Sequence, residues 1–492
     1  MMGYANPAQT ATGLHGRLFA RSFYISQCAN PGFIYVTIDN GMCSVALKRN
    51  VIKRLNEHGL NFDDEHVMIS GTHTHSGPAG YFDFFLYQVT SLGHIEEVLE
   101  TMTNGVVDSI LKARNNRIKQ EVHFGIGRVY NASINRSPSS YLMNPSHLLD
   151  YYESEGNTDT NLTMLIFGTE TKLTAQFNWF PVHPTAMNNS NTLINGDSKG
   201  WAQEMLESSI GNDFIAGFGS TNLGDISPNI LGPACRYGGN PPRGHYDGEP
   251  CDFTHGTCTD NALGATSVSK CIAYGPGLGP SSVNGIDIIQ TEFNDKDTTD
   301  IIAKRQFHEA LKLIQQQDFD EISGDVQFKH RHVNMATWSG KSRDGKQLTG
   351  CKPAMGVSFA AGTTDGPGYV EHGMNWDYMN SNYEGEDWIG FKVRDFLMNI
   401  IATDPVNTTE YDCHKSRPVL LPTGWADRPY AWHPSVIELG IYRIGTFYIL
   451  SVPGEFSTMA GRILRENIRS IIRTYSPESG IVFTLKHIGY II

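Results

Sequence analysis

Apolar runs of strand length alternate along this chain with stretches in which apolar side chains recur every three or four residues. Residues 32–39 (GFIYVTID) predict a buried strand, and 44–58 an amphipathic helix with Val45, Val51, Ile52 and Leu55 on one face. A second strand, 66–70 (HVMIS), ends in Gly71-Thr72-His73-Thr74-His75-Ser76-Gly77-Pro78. A longer helix is predicted over 95–115, where Ile95, Val98, Leu99, Met102, Val106 and Ile110 align. Strands follow at 162–167, 173–179 and 213–218, the last running into Gly219-Ser220-Thr221-Asn222-Leu223-Gly224-Asp225-Ile226-Ser227-Pro228-Asn229. Residues 232–285 show neither period and read as one long loop. A helix near 301–317, strands within 435–450, a turn at 451–455 and a helix over 457–473 complete the pattern. With no internal repeat, this order predicts an α/β layered fold, mixed β-sheets flanked by helices, with a site on loops at strand ends.

Composition narrows the class. The chain has 492 residues, 40% hydrophobic and only 18% charged, which suits a large core and argues against disorder. Its net charge of −13 is spread along the chain, so nucleic acid is not an expected partner, because phosphate binding needs clustered Lys and Arg. No run of 18 apolar residues is present. Cys235, Cys251, Cys258 and Cys271 crowd into the Gly/Pro-rich loop, with Cys351 and Cys413 apart. A loop without its own core gains most from disulfides. A four-cysteine zinc site is the rival reading, against which stands the lack of any C-x-x-C pair. Sequons at Asn131, Asn161, Asn188 and Asn407 fit a secreted protein. The opening residues hold no basic-then-apolar leader, so any signal peptide is expected outside this sequence.

The chemistry-bearing residues sit in the loops that end strands. His73 and His75 lie two apart, share a face if the segment is extended, and as neutral imidazoles suit zinc; two surface histidines are the plainer reading. His183, in Asn178-Trp179-Phe180-Pro181-Val182-His183-Pro184, is either a hydrogen-bonded core residue or a ligand. Glu455 occupies a strand-to-helix corner, where a carboxylate serves the helix dipole or a metal. Ser227 is a nucleophile, an oxyanion donor or a turn residue. Arg136, in Asn135-Arg136-Ser137-Pro138, either anchors a carbonyl or faces solvent. Asn135 also forms a sequon, but its nearness to a site would exclude a sugar.

Taken together these segments resemble the neutral ceramidases, zinc amidases that split ceramide into sphingosine and a fatty acid. The resemblance runs from Met1-Met2-Gly3-Tyr4-Ala5-Asn6 through the motifs around His73, Arg136, His183 and Ser227 to Phe359-Ala360-Ala361-Gly362-Thr363-Thr364-Asp365-Gly366-Pro367-Gly368 and Ser451-Val452-Pro453-Gly454-Glu455-Phe456, in family order. It implies His73, His183 and Glu455 as zinc ligands, His75 and Arg136 as residues that steer the amide and assist proton transfer, and Ser227 as the nucleophile. It also implies the pairs Cys235–Cys258, Cys251–Cys271 and Cys351–Cys413, leaving Cys28 and Cys43 as thiols.

The resemblance further implies a signal peptide and a short strand before the Met-Gly-Tyr motif. Beyond the last helix it implies a tyrosine ligand, a catalytic tyrosine and an immunoglobulin-like domain. The final residues do not show that pattern and Tyr490 is not given the ligand role, so 1–492 is expected to be an incomplete catalytic domain. The expected reaction is metal-assisted amide hydrolysis of ceramide drawn from a membrane surface. The aromatic run Tyr81-Phe82-Asp83-Phe84-Phe85-Leu86-Tyr87 is either a slot for its chains or core. The competing expectations are a zinc amidase or peptidase on another N-acyl compound, and an inactive lipid-binding remnant. Oligomeric state is not legible.

Overall fold

Strands β1 (Ala20–Ile25), β2 (Phe33–Ile38) and β3 (Val67–Gly71) form one sheet, with β1 antiparallel and β3 parallel to β2. A parallel neighbour requires a crossover, which helix α1 (Val45–Glu57) supplies. Ser44 caps α1, its hydroxyl accepting from Leu47 N at 3.0 Å. Helix α2 (Glu96–Asn115) packs beside it, with Glu96 and Glu97 in its first turn and Lys112 and Arg114 in its last, as the helix dipole favours. All six positions of β2 are buried, and they divide by parity. Ile34, Val36 and Ile38 meet Leu47, Val51, Val106 and Ile110 of the helices, while Phe33 and Tyr35 face an aromatic layer.

That layer is shared with a second sheet. Strands β4 (Glu121–Arg128), β5 (Asn161–Thr169), β6 (Lys172–Trp179) and β7 (Ile215–Gly219) lie in the order β7-β6-β5-β4, with Asp320–Glu321 at the β4 edge. Only β6 and β7 pair in parallel, joined through helix α3 (Asp197–Ile210). On the outer face Leu162, Met164 and Ile166 of β5 pack with Ala202 and Leu206 of α3 and with Ile302 and Leu313 of helix α4 (Asp295–Gln316). On the inner face Leu165, Phe167, Phe177 and Trp179 enter the aromatic layer, where Tyr35 stacks on Phe177 at 4.4 Å.

A third sheet, β8 (Val326–Asn334), β9 (Val436–Ile444), β10 (Phe447–Pro453) and β11 (Val482–Ile488), closes the same layer. Helix α5 (Thr458–Tyr475) makes the crossover between the parallel pair β10 and β11. Phe447 lies 5.9 Å from Trp179 and Tyr442 4.9 Å from Phe33. Helices therefore cover sheets that meet in one aromatic core, the layered α/β architecture expected from the chain. This computed structural model describes all residues except 28–30, 170, 212, 255, 262–263, 278–280, 284–285, 289–294, 343, 361, 369–395, 399, 404–412, 415–418, 476–481 and 489–492. Cys28, the Asn407 sequon and Tyr490 fall outside the described residues.

Several expectations shift in detail. The segment 232–285 is not patternless: Gly232–Cys235 pairs with Cys271–Tyr274, and Cys258–Thr259 with Thr266–Ser267. Disulfides Cys235–Cys258 and Cys251–Cys271 pin these short ladders, and Cys351–Cys413 forms a third bridge, so the cysteines are not zinc ligands. Cys43 keeps a thiol, which points at Ser44 O. Strand β10 runs on to Pro453, which moves the corner to Gly454, where φ is +98°. Tyr81, Phe82 and Tyr87 are core residues of the α1/α2 side. Among the described residues no helix is long and apolar enough to cross a membrane.

A buried charge cluster fastens the first sheet's helix to the third sheet. Lys48 Nζ of α1 lies 2.5 Å from Glu438 Oε2 of β9, and His330 Nε2 of β8 lies 3.1 Å from the same oxygen. His330, His332 and Glu438 are close enough to share an ion, but Lys48 already balances the carboxylate. Burial pushes the Glu438 carboxyl up, and the His330 hydrogen bond and Lys48 outweigh that, bringing it from 4.5 down to about 2. A depressed folded pKa stabilises above the unfolded value and loses that contribution as pH falls through the folded one. Glu438→Gln should therefore cost on the order of 3 kcal/mol at neutral pH. It should also flatten the fall in stability between pH 4.5 and about 2, as read by urea unfolding at stepped pH.

Candidate metal centre

The loops that leave β3, β6 and β10 converge, and each brings one or two of the residues singled out in the sequence. His73 follows β3 with φ at +77°, a left-handed backbone that a residue with a β-carbon adopts only under constraint. Its backbone N–H donates to Asn40 O at 3.0 Å, and its Nδ1 lies 2.8 Å from Gly41 O. His183 follows β6, with Nδ1 3.1 Å from Leu223 O. Lys199 of α3 secures the ends of β6 and β7, its Nζ donating to Phe180 O at 2.8 Å and Gly219 O at 2.9 Å. Glu455 follows β10, and its loop is pressed on the Ser227 loop: Gly224 N donates to Phe456 O at 3.0 Å, and a β-carbon on Gly224 would lie 2.4 Å from Glu455 O.

The three imidazoles meet at their Nε2 atoms. His73 and His183 are 3.0 Å apart, His75 is 3.2 Å from His73 and 3.1 Å from His183, and all three rings are buried. Glu455 Oε1 is 3.2 Å from His73 Nε2, and Oε2 is 3.7 Å from His183 Nε2. A carbonyl can only accept, so Nδ1 of His73 and of His183 carries a proton, which leaves Nε2 as the nitrogen of each ring that faces the cluster. Burial, followed by Arg136 and His73, holds His183 well below the usual imidazole range despite Glu455. Burial and then His73 do the same to His75.

Neutral imidazoles with lone pairs aimed at one point, beside a carboxylate, are the donor set of a divalent metal. A tetrahedral ion with bonds of about 2.0–2.1 Å spaces its donors roughly 3.4 Å apart, so this set fits after a small expansion. His75 differs from the other two: its Nδ1 is buried with no hydrogen-bond partner among the described residues. No backbone carbonyl among the described residues fixes its tautomer.

Arg136 and Ser227 lie together beside this cluster. A two-residue ladder pairs Ile226 with Asn135 and Ser227 with Ile134, and Arg136 N donates to Asp225 O at 2.8 Å. Arg136 Nη2 donates to Gly224 O at 2.9 Å and Nη1 to Asp365 Oδ2 at 2.9 Å. Ser227 Oγ donates to Asp365 Oδ1 at 2.6 Å and accepts from Asn229 N at 3.0 Å. Asn135 is buried and donates to Asn157 O and Asp225 Oδ2, so its amide has no room for a sugar. All six residues named from the sequence thus gather in one region. Asp365 was not singled out: a lone loop carboxylate has no period or spacing to mark it.

The Met-Gly-Tyr motif has a role here too. Tyr4 sets its ring edge-on to His75 at 4.6 Å and donates its hydroxyl to Met187 O at 2.7 Å. Gly3 has φ at +133°, and a β-carbon there would lie 2.4 Å from His75 Cγ. Only glycine lets the first residues lie against that imidazole. Next to Asp365 and Asn229 a cavity of about 330 Å³ opens toward the disulfide-linked segment, lined by Asn188, Arg236, Lys270 and Asp295 among others.

Comparison with known proteins identifies the family. The family model for the N-terminal part of neutral/alkaline non-lysosomal ceramidases matches residues 1–485. The neutral ceramidase of Drosophila melanogaster is 37% identical over 489 residues, covering 95% of this chain and 63% of the fly protein. Neutral ceramidase B of Dictyostelium discoideum is 35% identical, over 96% of this chain and 61% of its own length. A solved structure described as a ceramidase complexed with C2 superposes with a TM-score of 0.75 at 29% identity, covering all of this chain and 65% of its own. The crystal structure of neutral ceramidase from Pseudomonas aeruginosa gives 0.72 at 27% identity, with 64% of that chain covered. This chain therefore spans less than two thirds of the length of these relatives.

Proposed function

Since this chain belongs to the neutral/alkaline non-lysosomal ceramidase family, we propose that it hydrolyses the N-acyl bond of ceramide to sphingosine and a fatty acid, with zinc as the metal. The observation that carries the reading is the meeting of three buried Nε2 atoms within 3.0–3.2 Å of one another beside Glu455. His73, His183 and Glu455 hold the ion, because the tautomers of both histidines are locked by carbonyls as ligand tautomers are. The ion supplies Lewis-acid polarisation of the acyl carbonyl. His75, neutral and with an uncommitted Nδ1, moves a proton toward the leaving amine. Arg136 steers the amide, and Ser227 is the nucleophile. The substrate comes from a membrane surface. Three disulfides and the exposed sequons at Asn131 and Asn161 support a secretory route.

One observation favours a second reading, an amidase for a more polar N-acyl compound. In the cavity beside Asp365, the charged and amide side chains of Arg236, Lys270, Asp295 and Asn188 share the lining with Ala186, Tyr237 and Ile272. Both readings are tested by assaying ceramide and simple N-acyl amino acids with this chain and with a version extended to its relatives' length. Ceramide turnover that stops with chelator and returns with Zn²⁺ is expected. Turnover of N-acyl amino acids alone supports the second reading, and bound zinc with no turnover of either leaves a lipid-binding remnant.

A further inference from the structure

A single buried carboxylate joins the two residues assigned to the substrate amide. Asp365 sits at the tip of a tight hairpin in which Gly362 pairs with Pro367 and Thr363 with Gly366. The hairpin is held from two sides. Ala273 N donates to Thr364 O at 2.8 Å, tying it to the disulfide-linked segment, and Tyr4 packs on Gly366, where a β-carbon would lie 2.6 Å from the ring. The Asp365 side chain is 0% exposed, and both of its oxygens are used. Oδ2 accepts from Arg136 Nη1 at 2.9 Å and Thr185 Oγ1 at 3.3 Å. Oδ1 accepts from Ser227 Oγ at 2.6 Å and Asn229 Nδ2 at 2.8 Å.

We propose that Asp365 is the positioning residue of this site, holding the Ser227 hydroxyl and the Arg136 guanidinium in a fixed relation to each other. The role rests on the amidase reading above. An ion pair that served folding alone would need only Oδ2, whereas the shortest contact is made by Oδ1 to Ser227. With its hydrogen given to Asp365 and one lone pair taken by Asn229 N–H, the Ser227 oxygen keeps one lone pair in a set direction. Orientation fixed in advance need not be acquired during reaction. Asparagine at 365 has nearly the same shape but must turn its NH₂ toward an obligate donor, Asn229 Nδ2 at one oxygen or Arg136 Nη1 at the other.

The test is a kinetic cycle of Asp365→Asn, Ser227→Ala and the double variant, each with bound zinc and thermal midpoint measured. Asp365→Asn is expected to lower kcat roughly 100-fold, with KM and zinc content within about twofold of wild type. The double variant should be slower than Ser227→Ala by far less than 100-fold, because the part of the effect carried through Ser227 is already lost and only the part carried through Arg136 remains. Losses that multiply overturn the proposal, as does an unchanged kcat, or a zinc content and midpoint that fall in parallel with kcat. Wild-type protein, zinc-loaded, that turns over no acyl amide removes the amidase reading itself. Turnover by the wild type with multiplying losses removes the role of Asp365 alone.

Discussion

His183→Ala should yield a folded protein that no longer retains a metal through desalting and whose amide turnover falls to background. His183 provides one of two Nε2 lone pairs fixed by backbone carbonyls, and its partner His73 is 3.0 Å away. Losing the ion removes several kcal/mol of transition-state stabilisation, roughly 10³–10⁴-fold in kcat. The informative control is His75→Ala. Its Nε2 is equally close to the other two, so distance does not separate the roles, but its Nδ1 has no carbonyl to set it. The expected result is zinc retained by His75→Ala with slow turnover, and zinc lost by His183→Ala. Elemental analysis decides it, and the reverse pattern would exchange the two assignments.

The second large effect is on stability. Arg462 of α5 is buried, and its Nε donates to Asp159 Oδ1 at 2.7 Å, while Nη1 donates to Tyr141 Oη at 2.9 Å and Gly156 O at 2.8 Å. Asp159 also receives Arg465 at 2.5 Å and Asn222 Nδ2 at 2.9 Å, and Asn222 reaches back to Thr458 O at 3.1 Å. Arg462→Ala takes the donor from Gly156 O and from Asp159 Oδ1, leaving Asp159 held only by Arg465 and Asn222, and is expected to cost about 3–5 kcal/mol in chemical denaturation. Because Asn222 belongs to the Ser227 loop and Thr458 opens the helix after Glu455, zinc affinity should fall with it. Replacing the whole charged group by apolar residues of similar volume should cost much less, since no charge is then stranded. A loss below 1 kcal/mol in Arg462→Ala would show that water relieves the acceptors.

What could be read along the chain followed from burial on both faces or from a clean helical period. β2 is apolar at nearly every position because helices cover one side and aromatics the other, so GFIYVTID announced itself. β4 did not: EVHFGIGR has two glycines and exposed positions, and it is held by pairing with β5. Helix α3 was hidden for the opposite reason. Its buried positions include Asp197, Ser198, Lys199 and Gln203, while Trp201 is exposed, so its polarity is inverted. Lys199 lies inside because it satisfies carbonyls of Phe180 and Gly219 that no period reports. The site divides in the same way. Histidines at strand ends could be named from residue type and place, but Asp365 has meaning only through Arg136, Thr185, Ser227 and Asn229, all remote from it in sequence.

The β10 corner that carries Glu455 has a consequence for biosynthesis. A growing polypeptide exposes His73 early and His183 later, yet the carboxylate that completes their grip emerges only when synthesis has nearly passed through this sequence. No early intermediate can capture the ion in its final geometry. On the metal reading proposed above, uptake is therefore a late event, and retained zinc will report that the ends of β3, β6 and β10 have come together.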